Sequence, residues 1–204
     1  MSRNWAVRIL RGVKWRLARS TTLLVLRACP SDSRGAPPEG CVLTRVAGTR
    51  VAAQDALVDR AMRSAGEPDG LTAPRFAHGD EFFGWRIGSD VVAFGWATYR
   101  DRTVGAVRLA EGPGRVFLFN FCTLEGYRGR GLYPALLLNM RHDLGREHVT
   151  EFFIEVDVVN AASVRGIEKA GFVPVARITY LTIFNRWSRT LNRHVIDGTG
   201  PSPF

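Results

Sequence analysis

Residues 123 to 140 read TLEGYRGRGLYPALLLNM, with Arg128, Gly129, Arg130 and Gly131 set between a strand-like stretch and an apolar, helix-like run. A helix N-terminus leaves backbone amides without partners and carries the positive end of the helix dipole, which suits phosphate or another anion. Glycines let the backbone come close to such an anion, and the two arginines add fixed positive charge. Taken alone, the loop fits a plain surface turn with two solvated arginines equally well. Downstream, Glu155 and Asp157 fall on one face of the alternating stretch FFIEVDVV. Acidic side chains there mark either a functional site or a solvated strand edge. Asn160 opens NAASVRGIEKAG, in position to cap a helix.

Other chemistries find less support. Cys29, Cys41 and Cys122 are odd in number and lack C-x-x-C spacing, and His78, His142, His148 and His194 show no ligand spacing. A disulfide framework, a zinc site or any other metal site is therefore not expected, and a reducing, cytoplasmic setting is the default. The formal net charge is +9, but residues 1 to 30 hold seven basic side chains and no acidic one, which leaves about +2 for the rest. Charge gathered in one segment, away from the expected cleft, argues against a nucleic-acid partner. No apolar run approaches the length of a membrane span.

The elements that must position these residues follow from periodicity. Residues 3 to 19 read as a basic amphipathic helix, with Ala6, Ile9, Leu10, Val13 and Leu17 on one stripe. TTLLVLRA reads as a strand and CPSDSRGAPPEG as a loop. CVLTRV is a second strand. A helix follows, with Thr49 as its N-cap and Gly66 just past its end. EPDGLTAPRFAHG is a loop or a short helix, and DEFFGWRIGSDVVAFGWATYR a hairpin turning at Gly88-Ser89-Asp90. RVFLFNFCTL is a strand, Leu132 to Gly145 a helix, TEFFIEVDVV a strand and Asn160 to Ala170 a helix. GFVPVARITYLTIF supplies one or two closing strands, and the tail RHVIDGTGPSPF should fray. The order describes an α/β protein with a mixed sheet.

Arg128-Gly129-Arg130-Gly131-Leu132-Tyr133 resembles the pyrophosphate loop R/Q-x-x-G-x-G/A of the GNAT superfamily, the acyl-coenzyme A-dependent N-acetyltransferases. LFNFCTLEGYRGRGL is similar to that family's fourth strand running into its third helix. IEVDVVNAASVRGIEKAGFVPVAR resembles its fifth strand, its Asn-x-x-Ser helix and its Gly-Phe entry to the sixth strand. The resemblance spans roughly residues 42 to 185. It implies a mostly antiparallel central sheet flanked by helices. The chain then divides into a basic helix and strand (1–30), a loop (31–41), an acyltransferase domain (42–185) and a tail (186–204).

The resemblance further implies acetyl-coenzyme A, or another acyl-coenzyme A, as co-substrate. The strand before the loop would splay from its neighbour, so that backbone groups of Phe121, Cys122 and Thr123 meet the pantetheine arm; amides from Arg128 through Gly129, Arg130, Gly131 and Leu132 to Tyr133 would hold the pyrophosphate, Asn160 would lie near the thiol end, and Ser163 would also contact the coenzyme. Tyr133 departs from the small residue usual in the loop, and Ile167 stands where many members carry a tyrosine acid. Amine acylation needs a base and a donor to the carbonyl oxygen. The donor is a backbone amide near Thr123, and the base Glu155 or Asp157, with Glu81 and Asp80 as runners-up. Tyr133, Tyr180 and Cys122 are candidates for the missing acid.

TAPRFAHGDEFFGW, with Arg75, Phe76, Trp85 and Trp96, sits where the family builds its acceptor pocket. Arg75 would bind an acceptor's phosphate or carboxylate, or pair on the surface. The N-terminal extension resembles one linked with sugar acylation, which implies an amino sugar or sugar nucleotide as the amine. The alternatives are a coenzyme-binding module without turnover, or acylation of aminoacyl-tRNA or protein amines. Residues 3–19 would pack on the core, contact a membrane surface or serve as a presequence. A homodimer stays open.

Overall fold

The computed structural model describes residues 18–104, 107–109, 112–183 and 187–196. Eight strands form one sheet: β1 (Ala18–Ala28), β2 (Val42–Val46), β3 (Glu81–Ile87), β4 (Asp90–Thr98), β7 (Arg115–Thr123), β8 (Glu151–Asp157), β9 (Val173–Ile183) and β10 (Trp187–Val195). Their spatial order is β10-β9-β1-β8-β7-β4-β3-β2, and β5 (Arg102–Val104) pairs with β6 (Val107–Leu109) as a separate hairpin. Every neighbouring pair in the large sheet is antiparallel except β7 and β8. The helices are α1 (Ala52–Ser64), α2 (Thr72–Ala77), α3 (Leu132–Gly145) and α4 (Ala161–Lys169). This is the mixed, mostly antiparallel sheet with flanking helices that the sequence implies.

One face of the sheet carries α3 and α4. Leu136, Leu137, Met140 and Leu144 of α3 are fully buried there with Ile167 and Phe172, against Leu118, Phe152 and Ile154 of the sheet. Each such side chain contributes about 1.5–3 kcal/mol by leaving water. On the opposite face, Val58, Ala61 and Met62 of α1 and Phe76 of α2 cover Phe82, Phe94 and Trp96. A smaller group, Val25, Phe117, Phe153, Val175 and Ile178, lies on the sheet elsewhere.

Strand β1 lies inside the sheet, antiparallel to both β8 and β9. A strand buried on both faces reads as a continuous apolar run, which accounts for TTLLVL. Leu24 and Leu26 join the α3–α4 core, whereas Val25 joins the smaller group. The loop after β1 is tied to α3 by two buried polar side chains. Asn139 donates to the carbonyls of Gly35 and Ala135, both at 2.8 Å, and Arg141 donates to those of Cys29 (2.7 Å) and Ala170. Burial lowers the Arg141 pKa; these bonds satisfy the guanidinium.

Several local expectations change. Thr49 does not cap α1: the cap is Val51, whose amide donates to the Gln54 side chain at 3.0 Å. A glutamine three residues into the helix can reach back to the cap amide, so the start shifts by two residues. The supposedly frayed residues 193–195 belong to β10, which is held along its length by β9. The basic helix expected over 3–19 lies outside the described residues up to residue 17, while Ala18 and Arg19 already belong to β1.

Candidate active site

Strands β7 and β8 pair only from Arg115↔Glu151 to Leu118↔Ile154. Beyond that point β7 runs on to Thr123 and β8 to Asp157 without pairing, so the sheet opens between them. Asn120 sits at φ 50°, and β7 uses three steps from Phe119 to Cys122 where β4 uses two from Trp96 to Phe94. This is a β-bulge, which bends a strand and redirects its side chains. From Phe119 to Thr123, β7 keeps β4 on one side and faces the opening on the other.

After β7, a 3-10 turn (Glu125–Tyr127) leads into the glycine loop and α3. Gly131 is the N-cap of α3 at φ 74°, and Gly129 has φ 77°. This left-handed conformation is one that glycine adopts without the clash a Cβ brings. Among the described residues, none of the amides from Gly129 to Tyr133 finds an acceptor. Five consecutive N–H groups thus stand free at the positive end of a 14-residue helix. The arginines turn back on the loop: Arg128 donates to the Thr123 carbonyl (3.1 Å) and Arg130 to that of Gly126 (3.0 Å).

These amides border a cavity of about 620 Å³ between the loop and α4. Phe121, Cys122 and Thr123 line it from β7, Arg128, Gly129, Gly131, Leu132 and Tyr133 from the loop, and Asn160 and Ser163 from the start of α4. Of the residues the sequence singles out for a coenzyme, Arg130 is the exception; its guanidinium lies 5.1 Å from the Tyr127 ring. Asn160 caps α4, its Oδ1 accepting from the Ser163 amide at 3.1 Å. Sequence reasoning missed Arg165 and Lys169, which line the same cavity. Their i, i+4 spacing on an exposed helix face was the available signal.

A second cavity, of about 210 Å³, lies in the opening and shares Phe121, Tyr133, Asn160 and Ser163 with the first. Glu155 and Asp157 line it, as do Arg102, Phe119 and Asn120. Glu155 Oε1 accepts from Arg102 at 2.8 Å, and the Arg102 guanidinium lies 4.4 Å from the Phe119 ring. Arg102 comes from the β5–β6 hairpin and was not singled out in the sequence. Asp157 is engaged locally: Oδ1 accepts from the Val159 amide (3.2 Å), and Oδ2 is 3.8 Å from Arg19. Its carboxylate holds the turn into α4.

Tyr133 fits the loop because α4 has a glycine opposite. A Cβ at Gly166 would stand 2.6 Å from Tyr133 Cδ1. On its other side the ring meets Phe121, with centroids 5.2 Å apart. Burial pushes the phenol pKa well above its usual value, so the hydroxyl keeps its proton. It makes no hydrogen bond to another described residue. Ile167 is fully buried in the core.

The remaining candidates lie elsewhere. Glu81 is held by Arg45 (2.8 Å) and Tyr99 (3.0 Å), and Asp80 is buried; neither lines either of these two cavities. Tyr180 packs with the Val25 group. Cys122 lines the larger cavity, with its thiol pKa raised by burial and partly pulled back by Arg128. The aromatic acceptor pocket expected from Phe76, Trp85 and Trp96 is a correction: all three are core residues. Trp85 bonds the Leu132 carbonyl beneath α3 at 3.1 Å. Arg75 is half-buried and paired; it donates to Asn120 Oδ1 at 2.7 Å and lies 4.9 Å from the Trp96 ring.

Among the described residues there is no group of three or more His, Cys, Asp or Glu side chains that could hold a metal, and no helix long and apolar enough to cross a membrane. Solved structures share the fold. A GCN5-related N-acetyltransferase from Sphaerobacter thermophilus matches with a TM-score of 0.53 at 15% identity, over 87% of this chain and 56% of that one. A putative GNAT acetyltransferase from Novosphingobium aromaticivorans matches with 0.51 at 21% identity, over 80% and 64%. A GCN5-related N-acetyltransferase-like protein from Streptococcus suis gives 0.56 at 14% identity, over 89% and 68%. The chain therefore spans between 56% and 68% of the length of these structures. No curated protein matches it. The family model for the GNAT acetyltransferases matches residues 54–172, from the first helix to the entry of β9, and with more than half of its length covered the chain belongs to the GNAT acetyltransferase family.

Proposed function

We propose that the chain is an acyl-coenzyme A-dependent N-acyltransferase that hands an acyl group, acetyl first of all, directly to a small amine. The observation that carries this reading is the row of five unpartnered amides from Gly129 to Tyr133 beside a cavity that shares Phe121, Tyr133, Asn160 and Ser163 with the one in the β7–β8 opening. Such a row suits a pyrophosphate. Arg165 and Lys169 suit the remaining phosphate of the coenzyme, and the unpaired side of β7 from Phe119 to Thr123 suits the amide-bearing pantetheine arm.

Transfer forms a C–N bond and breaks a C–S bond. The amine must lose a proton and the departing thiolate must gain one. Glu155 is the proposed base, acting through a water: Arg102 holds Oε1, and Oε2 has no hydrogen-bond partner among the described residues. Asp157 is left out, because both of its oxygens are engaged. Tyr133 is the proposed acid. Of the four tyrosines it alone borders both cavities, and its phenol stays protonated.

Amino sugars and sugar nucleotides are the first acceptors to screen, followed by amino acids and polyamines. Acylation of nucleic acid is disfavoured by the gathering of basic charge in residues 1–30. The three free cysteines fit a cytoplasmic setting. A second reading, a coenzyme-binding module without turnover, draws on the burial of Ile167 and on the ion pair that occupies Glu155. Mass spectrometry of the amine panel with acetyl-coenzyme A decides between them. An acetylated amine together with free coenzyme A thiol is the expected result. Coenzyme binding without product from any amine would favour the module.

A further inference from the structure

We propose that Arg75 and Glu67 are positioning residues for the strand that meets the coenzyme: they clamp Asn120 in the left-handed conformation that turns Phe121 toward Tyr133. The proposal rests on the coenzyme reading above. Asn120, at φ 50°, and His148 are the two non-glycine residues with positive φ among the described residues. Asparagine tolerates this region better than most side chains, but extended backbone is still the ordinary state of a strand. Something must hold it there. The Asn120 amide is gripped at both ends: Oδ1 accepts from Arg75 Nη1, and Nδ2 donates to Glu67 Oε1, each at 2.7 Å.

The grip is itself anchored. The Arg75 guanidinium lies 4.9 Å from the Trp96 ring and 5.3 Å from the Phe119 ring. The Glu67 amide donates to the Met62 carbonyl, and the Arg75 carbonyl accepts from the Asp80 amide, both at 3.0 Å. Two side chains from the α1–α2 segment thus reach across to β7.

The consequence is a change of face. In an unbroken strand, residues two apart share a face. Phe119 and Phe121 do not: Phe119 packs with the Val58 and Trp96 core beneath α1 and α2, Phe121 with the core beneath α3 and α4. An extended Asn120 would return Phe121 to the α1–α2 side, away from the Tyr133 ring whose centroid it now meets at 5.2 Å. Arg75 and Glu67 line neither cavity, so their effect on the site passes through Asn120.

A bypass tests the clamp. Glycine adopts the left-handed conformation unaided, so Asn120→Gly should keep the bend of β7 without Arg75. Wild type, Arg75→Met, Asn120→Gly and the double variant are compared in two measurements. Ring-to-ring NOEs between Phe121 and Tyr133 report the strand in the ligand-free protein, and calorimetry gives the dissociation constant of coenzyme A. Arg75→Met should lose the NOEs and bind coenzyme A roughly ten- to a hundredfold more weakly, the scale of one lost hydrogen bond to a charged group. The double variant should regain both. Glu67→Gln, which keeps an acceptor for Nδ2, should resemble the wild type. Glu67→Leu should resemble Arg75→Met, and it replaces that variant should Arg75→Met fail to fold. Unchanged NOEs or unchanged affinity in folded Arg75→Met would overturn the proposal. Equal losses with asparagine and with glycine at 120 would do the same, since a residue that merely stabilises the fold is not rescued by glycine. If the wild type does not bind coenzyme A, the reading beneath falls, and the NOE series still decides the clamp.

Discussion

The two cavities that share Phe121 and Tyr133 are built from different material. The larger offers a row of backbone groups: five amides without acceptors, a glycine in the left-handed region as helix cap, and the flank of β7 that β8 leaves unpaired. The smaller is made of side chains that hold one another, Arg102 on Glu155, Arg75 on Asn120, and Asn120 in turn on Glu67 at 2.7 Å. A backbone amide survives every substitution of its own residue except proline. Ion-paired side chains can be retuned by one substitution. The difference teaches that one side suits an invariant ligand, and the other suits a ligand that varies among proteins of the same fold.

The largest expected effect falls on Tyr133, which lines both cavities. Tyr133→Phe keeps the ring on Gly166 and against Phe121 but removes the hydroxyl, so turnover should fall by about 10²–10⁴-fold while coenzyme affinity hardly moves. Glu155→Gln should lie toward the low end of that range, because Arg102 already stabilises the carboxylate, and Asp157→Asn should do less still. A Tyr133→Phe variant that turns over like the wild type would remove the phenol from the chemistry and leave the ring a matter of packing alone.

The smallest effect belongs to the rim of the larger cavity. Arg165→Ala and Lys169→Ala should each weaken coenzyme A binding by roughly two- to fivefold, as exposed charge pairs do. The loss should shrink as salt rises. Dephospho-coenzyme A, which lacks the ribose phosphate, should bind the double variant as it binds the wild type. An equal loss for both ligands would place these cations on another part of the coenzyme, and would sharpen the contrast between a backbone cradle and a side-chain rim.

How much of this was legible follows from the same contrast. The glycine loop, the α3 run and the Asn160 cap are local: each feature and its structural consequence lie within a few residues, so the sequence pattern carries them. The opening of β7 from β8 came only from the family resemblance, because where two distant strands stop pairing leaves no local mark. Arg102 reaches Glu155 across 53 positions from a three-residue strand, a pairing that no periodicity encodes. Trp85 and Trp96 read equally as pocket or core until the sheet assigns their faces, and both are core. The interior place of β1 was hidden for a different reason: its strand type was clear from TTLLVL, but its neighbours β8 and β9 lie more than 120 residues away.

The central claim is that the unpartnered amides at the start of α3 hold an acyl-coenzyme A. Calorimetric titration of acetyl-coenzyme A into the wild type and into Gly131→Asp tests it most directly. Aspartate tolerates the left-handed conformation at 131 better than most residues, so the variant should fold, with its melting curve as the check. It also sets a carboxylate against the pyrophosphate. The account predicts one coenzyme per chain in the wild type and loss of binding in folded Gly131→Asp. No binding to the wild type, or undiminished binding to the folded variant, would contradict it.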